Sequence, residues 1–387
     1  MDGFAVRSAD VAVASDGAPV HLRVVGEVAA GHAPAGRVEP GTAIRILTGG
    51  MLPDGADAVV PVEETDAPRG VAALPESVAI LRAAEAGAHV RRTGSDLRAG
   101  DLLVEAGASL TPQALAVIAA AGHGTLCVHR RPRVAVLATG DELVPAGDAV
   151  GLAQIPDSNS VAIAAQAVDA GADVIRLGIS PDSADEVERR LRVGIAEADV
   201  VVATGGVSVG AHDLVKDGFA AVGQMRLWRV AIQPGKPLAY AVAQRPDGGS
   251  VWLFGLPGNP VSSFVTFELF VRPVLRRLAG HADLTGRSVV RARLAEDVSS
   301  PLGRRTFARV RLVRDATTDR ATASGSATTP ASASDGVAWT AHLAGGQGSH
   351  VLSALAQADG LAAVPEDTET LPAGSVVEVI RLDRAGA

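Results

Sequence analysis

The sequence predicts a multidomain α/β protein in which a central α/β/α domain, built on a mostly parallel sheet, is flanked by two β-rich modules. Residues 132–280 alternate apolar runs of strand length with amphipathic segments of helix length, the pattern of a parallel sheet covered on both faces. Residues 1–92 and 283–387 instead carry short strand-like segments. A chain of 387 residues that is 47% hydrophobic is long enough to form several cores.

The composition excludes several classes of protein. A net charge of −8 argues against a protein whose main role is to bind a nucleic-acid backbone. No apolar run reaches the about 18 residues that span a bilayer, and the N-terminus lacks the basic and apolar regions of a secretory signal. The single cysteine, Cys127, excludes a disulfide framework and a Cys-rich metal site. We therefore expect a cytoplasmic protein without nucleic-acid or membrane partners.

The first module and the segment that follows it differ in pattern. Residues 21–31 and 42–50 alternate in the manner of strands bounded by turns. The connecting segment 93–131 contains one helix, for which Thr111 is a suitable N-cap, Pro112 occupies the first position and Gly122 follows the last apolar turn. We expect this segment to connect the β-rich module to the α/β domain.

The central domain has its strands and helices in alternation. The pattern predicts strands at 133–139, 173–179, 199–206 and 251–258, and helices at 158–172, 183–198 and 259–280. In such folds ligands bind beyond the carboxyl ends of the strands. Three loops follow these strands and are the candidate functional loops: Thr139–Leu143, Thr204–Gly210 and Pro257–Ser263.

The C-terminal module is predicted to be smaller and β-rich. Strand patterns occur at 288–298, 305–315 and 374–382. Between them, residues 315–337 are low in complexity, and we expect an exposed, mobile loop there.

Two loop-to-helix junctions are suited to binding an anion. Residues 203–213, ATGGVSVGAHD, place small residues after a strand, so that backbone N–H groups are left unshielded; the alternative is a tight turn with no ligand. Residues 256–264, LPGNPVSSF, combine an N-cap residue, Asn259, with Pro260 and two serines in the first helical turn. The alternative there is a well-capped helix that needs no ligand.

Lysine and asparagine are scarce, and the few present lie close together in the sequence. Lys216 and Lys236 are the only lysines among 35 basic residues, and Asn159 and Asn259 are the only asparagines. A lysine that persists where arginine is the usual cation suggests a site that needs a compact ammonium. Lys236 lies in the turn PGKP, 234–237, where two prolines restrict the backbone.

Two adjacent carboxylates follow the first central strand. Asp141 and Glu142 in TGDEL are suited to hold Mg²⁺. Alternatively they are acidic residues in the first turn of a helix, where they would stabilise the helix dipole.

Taken in order, these blocks resemble the molybdopterin molybdenumtransferase (MoeA-type) family, which is related to the catalytic part of gephyrin. The matching blocks span nearly the whole chain. They are MDGFAVR at 1–7, the block from 48 to 65, RRTGSDLRAGD at 91–101, TGDEL at 139–143, IPDSNS at 155–160, the glycine-rich loop, QPGKPLAYA at 233–241, the block from 256 to 273 and GSHVLSALAQADGL at 348–361.

The resemblance implies the fold and activity of that family. The expected fold has four subdomains, a molybdopterin-binding-like central domain and an elongated homodimer. The expected reaction inserts molybdenum from molybdate into adenylylated molybdopterin, cleaves the pyrophosphate bond and releases AMP with Mg²⁺ as cofactor. The expected partners are a second copy of the chain and, in the cofactor pathway, a molybdopterin adenylyltransferase and molybdoenzyme chaperones.

The resemblance also assigns site residues. The expected catalytic residues are Asp2, Asp96, Asp141, Glu142, Asp213 and Lys236, and the expected metal ligands are Asp141, Glu142 and Asp213. The expected substrate-binding residues are Thr48, Ser158, Gly205, Gly206, Ser208, Gly210, Lys216, Pro257, Gly258, Asn259, Pro260 and Ser262. Asp2 and Asp96 are expected to face Asp213 of the second copy.

Members of the family carry a few dozen residues before the block that begins MDG, so we expect either a late start codon or a truncated relative here. Two other functions stay open at this stage. One is a protein that holds molybdopterin without turnover, and the other is a molybdopterin adenylyltransferase. The β-rich modules on both sides disfavour the second, because that activity usually resides in a free-standing central domain.

Overall fold

The structure is a computed structural model that describes residues 2–68, 73–205, 214–314 and 337–382. The chain divides into two compact units, Met1–Leu103 and Val104–Ala387. None of the described helices is long and apolar enough to span a membrane.

The first unit is built on a five-stranded sheet with the order β4-β1-β3-β2-β5. Its elements are β1 (Gly3–Val6), α1 (Ser8–Val11), β2 (Val20–Val28), β3 (Thr42–Ile46), β4 (Ala58–Pro61), a 3₁₀ turn (Val62–Glu64) and β5 (Ser77–Ile80). β2 and β3 pair in parallel, and the other pairs are antiparallel. The strands predicted at 21–31 and 42–50 are present as β2 and β3.

The second unit begins with the predicted helix, α2 (Pro112–Ala120). The Thr111 hydroxyl accepts a hydrogen bond from the Ala114 N–H at 3.2 Å, so the predicted N-cap is confirmed. Gly122 follows the helix with φ +88°, a conformation that glycine adopts without strain.

The central sheet has six strands in the order β11-β13-β14-β10-β6-β9. In chain order the elements are β6 (Arg133–Thr139), β7 (Leu143–Val144), β8 (Ile155–Pro156), α3 (Asn159–Asp169), β9 (Asp173–Ser180), α4 (Ala184–Glu197), β10 (Val200–Thr204), α5 (Leu214–Val222), β11 (Gln224–Arg229), β12 (Ile232–Gln233), β13 (Pro237–Gln244), β14 (Ser250–Leu256), α6 (Pro260–Thr266) and α7 (Arg272–Leu278). The four strands predicted from apolar runs are β6, β9, β10 and β14, and they are parallel. β13 and β11 extend the sheet in antiparallel pairing.

Helices cover both faces of this sheet, because alternate side chains of the buried strands point to opposite sides. Ala135, Leu137 and Val201 pack with α4 and α5 on one face. Val136 and Val202 pack on the other face with α3, with α7 and with Phe267 and Val271, which lie between α6 and α7. The prediction of a mostly parallel α/β/α domain is confirmed.

The long helix predicted at 259–280 contains a wider, π-helical turn. Residues Phe267–Val271 form this turn between α6 and α7. Pro273, which has no N–H to donate and would crowd a regular turn, lies just beyond it.

The C-terminal module is a six-stranded sheet with the order β12-β17-β18-β15-β21-β19, in which an extra β17–β19 pairing closes the sheet on itself. Its remaining elements are β15 (Val289–Leu294), β16 (Val298–Ser299), β17 (Arg305–Arg314), β18 (Trp339–Leu343), α8 (Leu352–Gln357), β19 (Gly360–Val364), β20 (Thr370–Leu371) and β21 (Val376–Arg381). The three predicted strands are present as β15, β17 and β21. The mobile loop is predicted at 315–337, and residues 315–336 of it lie outside the described residues.

Candidate functional site

The three loops singled out in the sequence leave the same edge of the central sheet. β6, β10 and β14 are adjacent and parallel, so their carboxyl ends lie side by side. The Thr139 hydroxyl donates to the Thr204 carbonyl at 3.4 Å, and the Thr204 hydroxyl donates to the Pro257 carbonyl at 3.5 Å. The three loops therefore start side by side at one edge of the sheet, as the parallel pattern predicts.

The glycine-rich loop is described as far as Gly205. Gly205 has φ +94°, and a Cβ atom there would lie 2.3 Å from the Thr139 carbonyl oxygen, so the backbone requires glycine. Four predicted site residues lie outside the described part of the chain, namely Gly206, Ser208, Gly210 and Asp213. Lys216 lies just beyond them, exposed on α5.

The LPGNP turn leads directly into α6. Pro257 is buried, Gly258 and Asn259 are exposed, and Pro260 opens the helix. Asn259 stands at the N-cap position, as predicted, but its side chain makes no capping hydrogen bond. The N-cap interpretation is therefore confirmed for the position and wrong for the side-chain bond.

Two serines follow in the first turn of α6. Ser262 and Ser263 are buried, and the Ser263 hydroxyl has no hydrogen-bond partner among the described residues. The carbonyls of both serines accept from the Thr266 hydroxyl at 2.8 and 3.0 Å.

The PGKP turn packs against α6. Gly235 has φ +111°, and a Cβ atom there would lie 2.5 Å from the Thr266 Cγ2 atom and 3.6 Å from the Ser262 carbonyl oxygen. The turn thus lies beside the first turns of the helix that follows LPGNP. Lys236 is exposed at this turn, and its carbonyl accepts from the Val230 N–H at 3.1 Å.

The acidic pair follows β6 and is exposed. Asp141 Oδ1 accepts from the Asp182 N–H at 3.0 Å, which ties the loop to the end of β9. The Glu142 carboxylate folds back over Gly140, where a Cβ atom would lie 2.4 Å from its Oε2 atom. The short strand β7 comes next, so the alternative interpretation as helix N-terminal acids is wrong.

Sequence reasoning missed one contributor to this edge, Asn159 at the start of α3. Its Nδ2 donates to the Thr204 hydroxyl at 3.0 Å and to the Gly258 carbonyl at 2.7 Å. Its neighbour Ser158, a predicted binding residue, is exposed and makes no side-chain capping bond among the described residues. The scarcity of asparagine did point to residue 159, but no local pattern reveals its partners.

The first unit holds the other predicted residues. Asp2 and Thr48 are brought together, because Asp2 Oδ1 accepts from both the N–H and the hydroxyl of Thr48 at 2.8 Å. The hydrogen bond from the Thr48 N–H lowers the pKa of the Asp2 carboxyl below its ordinary value, and the bond from the Thr48 hydroxyl adds to this effect. Asp96 is exposed, and nothing in the described residues bonds it to Asp2.

The described residues include no group of three or more His, Cys, Asp or Glu side chains that could hold a metal ion. Mg²⁺, however, is commonly held by one or two carboxylates together with substrate phosphates and water. The adjacent carboxylates of Asp141 and Glu142 fit that arrangement, with one Asp141 oxygen already engaged by the backbone.

The chain matches three family models. Residues 1–122 match "MoeA N-terminal region (domain I and II)", residues 135–277 match "Probable molybdopterin binding domain", and residues 330–382 match "MoeA C-terminal region (domain IV)".

Curated relatives and solved structures agree with these matches. Molybdopterin molybdenumtransferase 2 of Mycobacterium tuberculosis is 38% identical over 98% of this chain and 87% of its own length. Molybdopterin molybdenumtransferase 1 of the same organism is 35% identical over 100% and 88%. A crystal structure of the molybdopterin biosynthesis MoeA protein from Pyrococcus horikoshii, at 32% identity, has a TM-score of 0.76 and matches 100% of this chain and 87% of that one.

Proposed function

Because the chain belongs to the MoeA family of molybdopterin molybdenumtransferases, we propose that its substrate is adenylylated molybdopterin and that AMP leaves when molybdenum is inserted. The family inferred from the sequence motifs is confirmed. The protein is a transferase that inserts molybdenum during molybdenum cofactor biosynthesis. The relatives' names favour this activity over the carrier and adenylyltransferase alternatives.

The observation that carries the proposal is the convergence of chemically different loops on one edge of the sheet. Carboxylates come from the loop after β6, close-packed backbone from Gly205 and the LPGNP turn, and an ammonium from the PGKP turn. Molybdate and a phosphate are both oxyanions, and they need cations and free N–H groups. The carboxylates supply the complementary chemistry, since they can hold a divalent cation or move a proton.

We assign the anion-binding role to Lys236, Lys216 and the loops around Gly205 and Gly258. Lys236 is exposed at a turn that packs on α6, where an ammonium can reach an oxyanion bound near the first helical turn. The predicted roles of Gly206, Ser208, Gly210 and Asp213 rest on the family resemblance alone.

Asp141 and Glu142 are the residues that would hold Mg²⁺. Bound there, the ion would neutralise the charge that develops on a phosphate as its bond to the leaving group breaks. Asp141 is held in place by the Asp182 N–H, so its free oxygen faces a fixed direction.

Turnover of adenylylated molybdopterin with molybdate and Mg²⁺, measured as AMP release, tests the proposed substrate and product. Wild-type protein should release AMP only when molybdate is present. A protein that binds AMP but releases none from the substrate would instead be a carrier. Comparable binding of NAD and AMP in calorimetry would contradict the substrate assignment.

The Asp141→Asn variant tests the site. The substitution keeps the size and one acceptor oxygen of the side chain but removes the charge that would hold Mg²⁺. Stabilisation of developing charge by a metal ion is worth several kcal/mol, so we expect AMP release to fall roughly 10²–10⁴-fold. The matched control is Asp148→Asn, since Asp148 is exposed in the loop between β7 and β8 and is no predicted site residue. Equal turnover by the wild type and Asp141→Asn would remove Asp141 from the site.

We also propose that the enzyme acts as a homodimer in the cytoplasm, in which Asp2 and Asp96 of one protomer face Asp213 of its partner. The family resemblance supports this arrangement. Sedimentation and mixing of Asp2→Asn with Asp213→Asn protomers test it. Activity that returns on mixing supports a shared site, and its absence in a confirmed heterodimer contradicts one.

A further inference from the structure

The Asn159 side chain joins three elements at the carboxyl edge of the central sheet. It lies in the first turn of α3, and its amide nitrogen reaches the last residue of β10 and the turn after β14. These partners are 45 and 99 residues away in the chain. Asn159 is half-buried, whereas Thr204 is 1% exposed. The contact therefore lies where the buried sheet meets the proposed site.

The direction of these hydrogen bonds follows from the chemistry of the partners. The Gly258 carbonyl can only accept, so the Asn159 atom 2.7 Å away from it must be the donor nitrogen. The same nitrogen gives its second hydrogen to the Thr204 hydroxyl, which is then free to donate to the Pro257 carbonyl. Both amide hydrogens are therefore used to hold the LPGNP turn against the end of β10.

Neither the capping of α3 nor the pairing of β10 with β14 depends on the two hydrogen bonds of the Asn159 amide. The first turn of α3 is already capped by Asp157, whose carboxylate accepts from the N–H and the hydroxyl of Ser160. The strands β10 and β14 are already paired in register up to Thr204 and Leu256. What the Asn159 amide adds is the position of Gly258, two residues beyond the last pair, where sheet pairing no longer fixes the backbone.

The glycines on either side are in contact. A Cβ atom on Gly258 would lie 3.9 Å from the Gly205 Cα atom. Gly205 and the turn before α6 therefore approach each other closely, and their separation decides whether backbone N–H groups from both can bind one oxyanion.

We propose that Asn159 is a positioning residue for the molybdenum insertion site: its amide fixes the LPGNP turn relative to Thr204 and Gly205 at the end of β10, so that the turn can engage an anion bound at this edge. The inference rests on the proposed function for the identity of that anion. Asn159 itself acts through Gly258 and Thr204.

The effect of removing the amide should be large on turnover and small on stability. A displacement of about 1 Å at a reacting group can cost on the order of 10²-fold in rate. We expect Asn159→Ala to lower kcat for AMP release by about 10–100-fold, with a smaller change in KM. The melting temperature should fall by only a few degrees, as for loss of one or two hydrogen bonds.

The control is Gln244→Ala. Gln244 Nε2 donates to the Ser250 hydroxyl at 3.1 Å, an amide-to-hydroxyl bond in the same sheet but at the start of β14. If any lost amide bond lowered activity through general loosening, both alanine variants would behave alike. We expect Gln244→Ala to match the wild type in kcat.

A double-mutant cycle tests whether Asn159 acts through Thr204. Thr204→Val removes the hydroxyl and keeps the shape, so the two single losses should overlap. The Asn159→Ala/Thr204→Val protein should lose no more than about threefold beyond Asn159→Ala alone. Fully additive losses would show that Asn159 does not act through this hydroxyl and would overturn the inference.

Hydrogen exchange separates failure of the inference from failure of the proposed function, because it needs no substrate. Amides in residues 256–263 should exchange about tenfold faster in Asn159→Ala and at the wild-type rate in Gln244→Ala. Unchanged exchange in Asn159→Ala overturns the positioning role even if the wild type releases AMP. Faster exchange in Asn159→Ala, combined with a wild-type protein that releases no AMP, would overturn the proposed substrate alone.

Discussion

Lys236 is the residue for which the composition of the chain and the structure of its turn both indicate a specific role. Arginine serves as the cation almost everywhere in this chain, yet a lysine occupies the PGKP turn, where Gly235 lies so near Thr266 that a Cβ atom would not fit between them. Because the turn has little room to move, the position of the Lys236 Cα atom is set by the backbone. The reach and head group of lysine then decide which oxygen of a bound anion it contacts.

We expect Lys236→Arg to impair AMP release although the charge is kept. A guanidinium is larger, planar and forked, and a displaced charged hydrogen bond costs about 1.5–3 kcal/mol, or roughly tenfold to a hundredfold in rate. Thermal unfolding should be unchanged, because Lys236 is exposed. Arg226→Lys, an exposed site on β11, is the matched control. Wild-type turnover by Lys236→Arg would mean that the lysine is incidental.

The two asparagines show which residue roles the sequence can predict. The N-cap position of Asn259 follows from a local pattern, but whether its side chain caps the helix depends on the geometry of the turn, and here it makes no capping bond. Asn159 gave no local pattern, because its partners are 45 and 99 residues away. Local sequence therefore predicts positions well, and long-range side-chain bonds poorly.

At the scale of elements, the PGKP turn and α6 form one packed unit. Gly235 fits against Thr266 and Ile232 only because it lacks a Cβ atom, which would lie 2.5 and 3.2 Å from atoms of those side chains. The turn carries the lysine and the helix carries the LPGNP turn. Their contact therefore sets the distance between the cation and the backbone N–H groups of the site.

We expect Gly235→Ala to lower both stability and activity. Its φ of +111° is strained for alanine, and the new methyl group would collide with Thr266, so the free energy of unfolding should fall by about 1–3 kcal/mol. Urea denaturation measures this. Thr266→Ser removes the Cγ2 atom and should restore part of the loss in the double variant. No recovery would mean that backbone strain alone causes the loss.

The elements themselves were predictable where they are locally encoded. β6, β10 and β14 match runs of apolar residues too short for helices, and α2 and α4 begin where capping and acidic residues predict. The antiparallel β13 and the π-helical turn were not predicted. Strand direction depends on pairing partners, and the wider turn depends on packing around Pro273.

At the scale of the whole molecule, the second unit's central sheet has two different edges. The carboxyl edge carries loops, exposed carboxylates and Lys236. At the opposite edge, where the parallel strands begin, Asp199 precedes β10 and is 3% exposed. Its carboxylate accepts from Arg130 at 2.6 and 2.7 Å, from the Arg133 N–H at 2.9 Å and from Arg245 at 2.7 Å. The site is thus built on a sheet whose far edge is tied together by one buried carboxylate.

That carboxylate should make the fold sensitive to acid. Burial alone would raise the pKa of Asp199, but hydrogen bonds from Arg130, the Arg133 N–H and Arg245 outweigh it and hold the pKa well below the ordinary 3.8. The folded protein therefore binds this proton more weakly than the unfolded chain does. Asp199 stabilises the fold fully above about pH 4, and this contribution is lost as the pH falls below that toward the folded-state pKa.

The Asp199→Asn variant isolates this contribution. At pH 7 it leaves Arg245, largely buried, without its charged partner, so we expect the free energy of unfolding to fall by about 3 kcal/mol. In urea denaturation from pH 7 to 3, the difference between wild type and variant should stay constant down to about pH 4 and then shrink. Asp217→Asn, at an exposed position on α5, should follow the wild type throughout. A difference that grows as the pH falls would contradict the assigned sign, because it would mean that the protonated form of Asp199 is the stabilising one.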